Sequence, residues 1–284
     1  MRLGFIFVLL AGIGFGFLGI FGRLAFQSGL SVGELLTFRF ALASLLLIAG
    51  LAFYKPHLLK LPLKQVLISA ALGVFGYAVF STLYFKSIEG ISVPLAALLL
   101  FTFPIFVNLG SHFILKERMS RLQFVSLVIA TTGLGILLWG PLIVNSLAAV
   151  AYALLAAVTY SIYVILSGKL QKNVHPISSS LYVIVSAGVA LFFFHHPDFS
   201  KVASLTASQM LIIAGIAIVS TIGPLTLFLA GLQRLPSGKA SIVVMIEPVV
   251  AAGAASLLLG ENLSAVQLFG SLLVMISLAL NAIS

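Results

Sequence analysis

The chain has 284 residues, 61% of them hydrophobic and 7% charged, with a formal net charge of +9 and no cysteine. A water-soluble domain covers its surface with roughly a quarter charged residues, so this composition excludes one; the missing cysteines exclude disulfides, thiolate metal sites and cysteine nucleophiles. The basic residues stand singly or in small groups between apolar runs, a pattern that marks membrane topology and argues against a nucleic-acid surface.

A membrane-spanning helix needs about 20 mostly apolar residues. The first such run, Leu3–Gly22, shows no small-residue cleavage site and is expected to stay as a helix. Its Gly12, Gly14, Gly16 and Gly19 let a neighbouring backbone approach closely. The second run, Leu35–Phe53, carries Arg39 about one turn from its start. A charge inside a membrane is costly, so Arg39 either binds a substrate carboxylate, or snorkels to the interface, or pairs with Glu34. The third run, Val66–Phe85, sets Tyr77, Ser81 and Tyr84 on one face. The fourth, Val93–Leu115, contains Pro104 and then Asn108 and His112 one turn apart; His112 either shuttles a proton or makes an interhelical hydrogen bond. The fifth is Leu122–Gly140.

The sixth run, Ser146–Ser167, sets Tyr152, Thr159 and Tyr163 on one face, with Tyr160 nearer mid-helix. These tyrosines either line a cavity for an amphipathic or aromatic solute or belong to the interfacial aromatic belt. Tyr77 and Tyr160, being nearest the middle, favour the cavity. The seventh and eighth runs are Ile177–Phe194 and Met210–Gly231. The ninth, Lys239–Leu259, holds Glu247 just before Pro248. A proline removes a backbone donor and loosens the helix, and an acid beside that break suits an amine or a proton, unless neighbouring hydroxyls satisfy it. Leu263–Ile283 is the tenth. The runs are too long and continuous for barrel strands, so the expected class is an all-α integral membrane protein of ten helices.

Ten crossings put both termini on one side, where eleven of the Lys and Arg residues fall, against four on the other. The positive-inside rule then places both termini in the cytoplasm of a cell whose plasma (inner) membrane the chain spans. A shift of 144 residues lays Ala96 on Ala240, Pro104 on Pro248, Glu117 on Glu261, Ser120 on Ser264, Gln123 on Gln267 and Leu134 on Leu278. Residues 1-144 and 145-284 therefore read as two five-helix units, and an odd helix number inverts the second relative to the first. Ser120 with Gln123, and Ser264 with Gln267, both read as capping boxes that pin the last hairpin of each half.

The doubled pattern Pro104…Glu117…Ser120…Gln123 and Glu247-Pro248…Glu261…Ser264…Gln267, with Leu36-Thr-Phe-Arg39-Phe and Thr159-Tyr-Ser-Ile-Tyr, resembles the EamA branch of the drug/metabolite transporter superfamily along essentially the whole chain. The resemblance implies two inverted halves, a central cavity and alternating access, with members that mostly export amino acids, nucleosides or other metabolites. Symmetry is broken at two positions of interest: Glu247 falls on Phe103, and the seventh run has no counterpart of Arg39.

Rival functions lack their signatures. There is no His-Glu-x-x-His motif, the sole aspartate (Asp198) lies in a linker, and no Gly-rich Lys-ending nucleotide loop is present. The expected function is secondary-active export of aromatic or neutral amino acids or related amphipathic solutes, not enzymatic, with nucleosides or amine drugs as the alternative. The expected partners are a small-molecule substrate, the lipid bilayer and a coupling proton, without cofactor, metal or nucleic acid. Candidate substrate or coupling residues are Arg39, Tyr77, Ser81, Asn108, His112, Tyr152, Thr159, Tyr160, Tyr163 and Glu247.

Overall fold

The computed structural model describes residues 1–140 and 143–284. Among these described residues, nine helices are long and apolar enough to span a membrane: α1 (Arg2–Gln27), α2 (Val32–Tyr54), α3 (Leu63–Ile88), α4 (Val93–Ile114), α6 (Leu147–Leu170), α7 (Pro176–His195), α8 (Ala207–Leu232), α9 (Ser237–Leu259) and α10 (Ala265–Ile283). A shorter apolar helix, α5 (Arg121–Leu137), takes the remaining place in the order. The ten predicted runs are all present, within a few residues at most ends; α1 overruns its expected end at Gly22 and continues to Gln27. The protein is thus an all-α membrane protein.

Packing follows the internal repeat. The first helix of each half lies against the third and fourth helices of the other: α1 on α8 and α9, α6 on α3 and α4. The second helices pair with each other, α2 with α7, and the last do the same, α5 with α10. The α5–α10 crossing is made backbone to backbone. A Cβ on Gly270 would stand 2.7 Å from Gly133 O, and one on Gly133 would stand 2.8 Å from Gly270 O.

Four helices are interrupted, at positions that also follow the repeat. α3 widens to a π-helix over Leu72–Ala78, and α8 does so over Ile218–Ile222, just before Pro224. α4 breaks at Phe101 and Thr102 before Pro104, and α9 tightens to a 3-10 turn over Val244–Ile246 before Pro248. Each proline removes one amide donor, and its ring pushes against the carbonyl one turn back. Threonine hydroxyls beside two of the interruptions bond back to the preceding turn: Thr102 Oγ1 donates to Leu99 O at 2.6 Å and Thr221 Oγ1 to Ile216 O at 2.9 Å. α1 has an additional break at Phe17, which α6 lacks.

The loops correct one expectation and add to another. Ser264 and Gln267 form the full capping box, but at the equivalent turn only Ser120 caps. The Gln123 amide instead donates to Asn108 Oδ1 at 3.0 Å, because the α4 side chain lies within reach. Full boxes not foreseen from the repeat stand at Ser31/Glu34 and Thr206/Gln209. Between α7 and α8, Lys201 Nζ donates to Glu34 Oε1 at 2.6 Å, and this contact raises the Lys201 ammonium above the ordinary lysine value. Ile91 and Val144 make a single β-bridge that ties two linkers together.

Gly270→Leu is expected to destabilise the fold by about 1–3 kcal/mol through overpacking at the α5–α10 crossing. Gly135→Ala, whose added methyl meets nothing within 4 Å, is expected to change stability by less than about 0.5 kcal/mol. Thermal unfolding in detergent would compare the two.

Candidate functional site

The π-helical stretch of α3 turns Tyr77 inward, toward α6 and α2. Gly76 beside it allows close approach, since a Cβ there would stand 2.8 Å from the Tyr163 ring. Tyr77 meets Tyr163 edge-on at 5.7 Å between ring centres, Phe40 at 5.5 Å and Phe80 at 5.2 Å. On α6 the rings of Tyr160 and Tyr163 lie near-parallel, 6.0 Å apart. Tyr160 also packs on Phe80 and on Phe103, each at 4.8 Å. Six aromatic rings from four helices thus pack into one cluster between the two halves. Aromatic pairs at these separations favour each other through their quadrupoles as well as by burial.

Two opposite charges reach this region. Arg39 is 3% exposed, with its guanidinium 4.6 Å from the centre of the Phe40 ring. It therefore does not snorkel to an interface. It is not paired with Glu34 either, whose carboxylate is taken by Lys201 and by the Ser31 amide. Arg39 Nε is buried without a hydrogen-bond partner. Glu247 opens the second segment of α9, directly after the 3-10 turn, with its own amide donating to Val244 O and Pro248 following it. α1 passes against this break: a Cβ on Gly16 would stand 2.8 Å from Glu247 O. Glu247 is only partly buried although it sits mid-span among α1, α9 and the tyrosines. Tyr77 lies within electrostatic reach of both Arg39 and Glu247, and Glu247 also reaches Tyr84 and Tyr160.

Of the candidate residues, Arg39, Tyr77, Tyr160, Tyr163 and Glu247 come together here, and Ser81, one turn from Tyr77, is buried beside them on α3. The others stand elsewhere. Tyr152 is 37% exposed toward the far end of α6, and Thr159 bonds back to Leu155 O within its own helix. Asn108 is already satisfied, donating to Pro104 O at 2.8 Å and accepting from Gln123. His112 is exposed, with Nδ1 3.2 Å from Glu117 O. Asn108 and His112 line a separate groove of about 460 Å³ on the outer side of α4 and α5. Phe40, Phe80 and Phe103 complete the cluster, yet among 23 phenylalanines no sequence signal singled them out. For Phe103 one hint existed, since it occupies the repeat position of Glu247.

Comparison with known proteins adds to this geometry. The model of the EamA-like transporter family matches residues 2–139 and again residues 147–283. An uncharacterized transporter, YcbK of Bacillus subtilis (strain 168), is 27% identical over 277 residues, covering 94% of this chain and 88% of that protein. The threonine/homoserine exporter RhtA of Escherichia coli (strain K12) is 31% identical over 246 residues, covering 81% and 75%. A crystal structure of a protein 16% identical superposes with a TM-score of 0.82, covering 98% of this chain and 95% of that one, which extends the likeness to the fold.

Gly76→Ala is expected to cost about 1–3 kcal/mol by driving a methyl into the Tyr163 ring. The cost should shrink in a Tyr163→Ala background, and a double-mutant cycle of unfolding midpoints would measure that coupling.

Proposed function

The chain belongs to the EamA-like transporter family, and from that premise we propose that it is a secondary-active exporter of neutral amino acids, with residues 1-144 and 145-284 as the two repeats that rock about the aromatic cluster. The observation that carries the reading is the pair of charges beside one aromatic cluster: Arg39 with a free Nε and the partly buried Glu247, both within reach of Tyr77. An amino acid presents a carboxylate and an ammonium. Arg39 offers its planar donor fork to the first, and Glu247 attracts the second. The tyrosine and phenylalanine rings then take the side chain, and the Tyr77 hydroxyl is at hand for a polar one. RhtA, a relative named for threonine and homoserine, supports the amino-acid class.

Coupling to protons follows from the same carboxylate. Glu247 cannot hold an ammonium group and a proton at once, so occupancy by one displaces the other. That exclusion makes exchange of an outgoing amino acid for an incoming proton the natural cycle, with no nucleotide hydrolysed. The family is one of transporters, which supports a non-enzymatic role. The bias of basic residues supports the inner membrane with both termini in the cytoplasm.

Uptake into proteoliposomes of radiolabelled amino acids, nucleosides and amines, with and without a pH gradient, tests the proposal. Saturable, gradient-dependent uptake of neutral amino acids is expected. Arg39→Gln should raise KM at least about tenfold, as loss of a charge-assisted hydrogen bond does. Glu247→Gln should abolish the response to the gradient. Normal rate and normal pH dependence in both variants would remove the site assignment; uptake of nucleosides or amines alone would replace the substrate class.

A further inference from the structure

Three buried polar atoms that follow one face of α6 to its C-terminal cap make no hydrogen bond of normal geometry among the described residues: Tyr163 Oη, Ser167 Oγ, which lies next to it, and Gln171 Oε1. They succeed one another at intervals of four residues, one above the next along the helix, and their residues are 0%, 2% and 1% exposed. Unpaired buried polar atoms are costly, and a run of them calls for a reason such as water or a second conformation. The row begins in the aromatic cluster at Tyr163. It ends where α6 ends, with Gln171 Nε2 donating to Ser69 Oγ at 3.0 Å and Gln171 O accepting from Gln233 Nε2 at 3.0 Å.

The same end of the bundle is shut by α9. Every residue from Ser237 to Ile246 is buried, whereas between Val249 and Leu259 only Ala254 is. The start of α9 presses on α6 next to Ser167: a Cβ on Gly168 would stand 2.5 Å from Ser237 Oγ. What holds that start in place is a carboxylate from the other half. Glu117, in the α4–α5 turn, accepts from the Ser237 amide at 3.2 Å and from the Gly238 amide at 3.4 Å. Its repeat counterpart does nothing of the kind. Glu261 has a side chain 46% exposed and pairs with Arg23. The residues equivalent to Ser237 and Gly238 are Val93 and Pro94, and a proline has no amide to give. The grip therefore exists at one end of the molecule only.

We infer that the Tyr163–Ser167–Gln171 face of α6 is the cytoplasmic half of the solute path, collapsed in this conformation, and that Glu117 is the positioning residue that keeps it closed. The inference rests on the alternating-access reading above, not on its substrate. When α9 swings from α6, water reaches the three orphaned groups and the aromatic cluster opens toward the cytoplasm. When Glu117 regains the two amides, the path closes.

The chain has no cysteine, so a single introduced thiol reports directly. Ser167→Cys in inside-out vesicles, treated with a small charged methanethiosulfonate, should react slowly. Adding Glu117→Gln should speed the reaction about tenfold, the shift expected when a charge-assisted contact that favours one state is weakened. Ser237→Pro removes one of the two amides at a helix position that tolerates proline, and should do the same if the glutamine variant fails to fold. Glu261→Gln should not. Equal rates with and without Glu117, or an equal rise at Ala43→Cys in the packed core, would overturn the assignment. Failed amino-acid uptake with this labelling response intact would count against the substrate alone.

Discussion

The fold depends on one constraint: inside a membrane every backbone amide and carbonyl must find a partner within the protein. Regular helices meet it automatically, and most of this chain is regular helix. The exceptions are thus confined to places that other helices cover. The breaks in α4 and α9 and the π-helical stretches of α3 and α8 belong to the helices that α1 and α6 lie against. Prolines at 104, 224 and 248 accompany three of these interruptions, and threonine hydroxyls beside two of them bond back to the preceding turn. The broken segments supply what an unbroken bundle cannot: a tyrosine turned inward on α3 and an acid at a break in mid-span on α9.

Much of this is visible in the sequence because it is one-dimensional. Helix number follows from apolar length, and the pairing of the halves follows from a constant residue offset. Arg39 and Glu247 stand out because a charge within an apolar run has few innocent explanations. The rest of the aromatic cluster does not stand out. Phe40 and Phe80 are chemically like the phenylalanines that face lipid, and only the third dimension separates them; Phe103 is marked only by its repeat position opposite Glu247. Direction around a helix is equally hard to read: Tyr152 and Tyr163 share a nominal face on α6, yet one is exposed and the other fully enclosed because the helix is covered differently at its two ends. Partners distant in sequence are invisible as well. Glu34 looked like a neighbour for Arg39, but it is held by Lys201, 167 residues away. The Gln123 amide looked like a cap and is spent on Asn108.

The two halves share a backbone plan and differ in the side chains that matter. Their turns carry the same Glu and the same Ser-x-x-Gln, but one glutamate grips a helix start across the interface and the other pairs with an arginine at the surface. Equivalent positions therefore perform different tasks at opposite ends, and the conformation described is one-sided rather than midway.

The opposition of Phe103 and Glu247 shows what joining two subunits into one polypeptide makes available. A homodimer of identical five-helix chains must place the same residue on both sides of its axis, so its centre holds two acids or none. Two facing carboxylates in a medium of low dielectric would repel and drive one another toward protonation. A single chain lifts that restriction: one copy keeps the acid and the other carries phenylalanine, so the proposed site has a single negative charge for a single cationic group to neutralise.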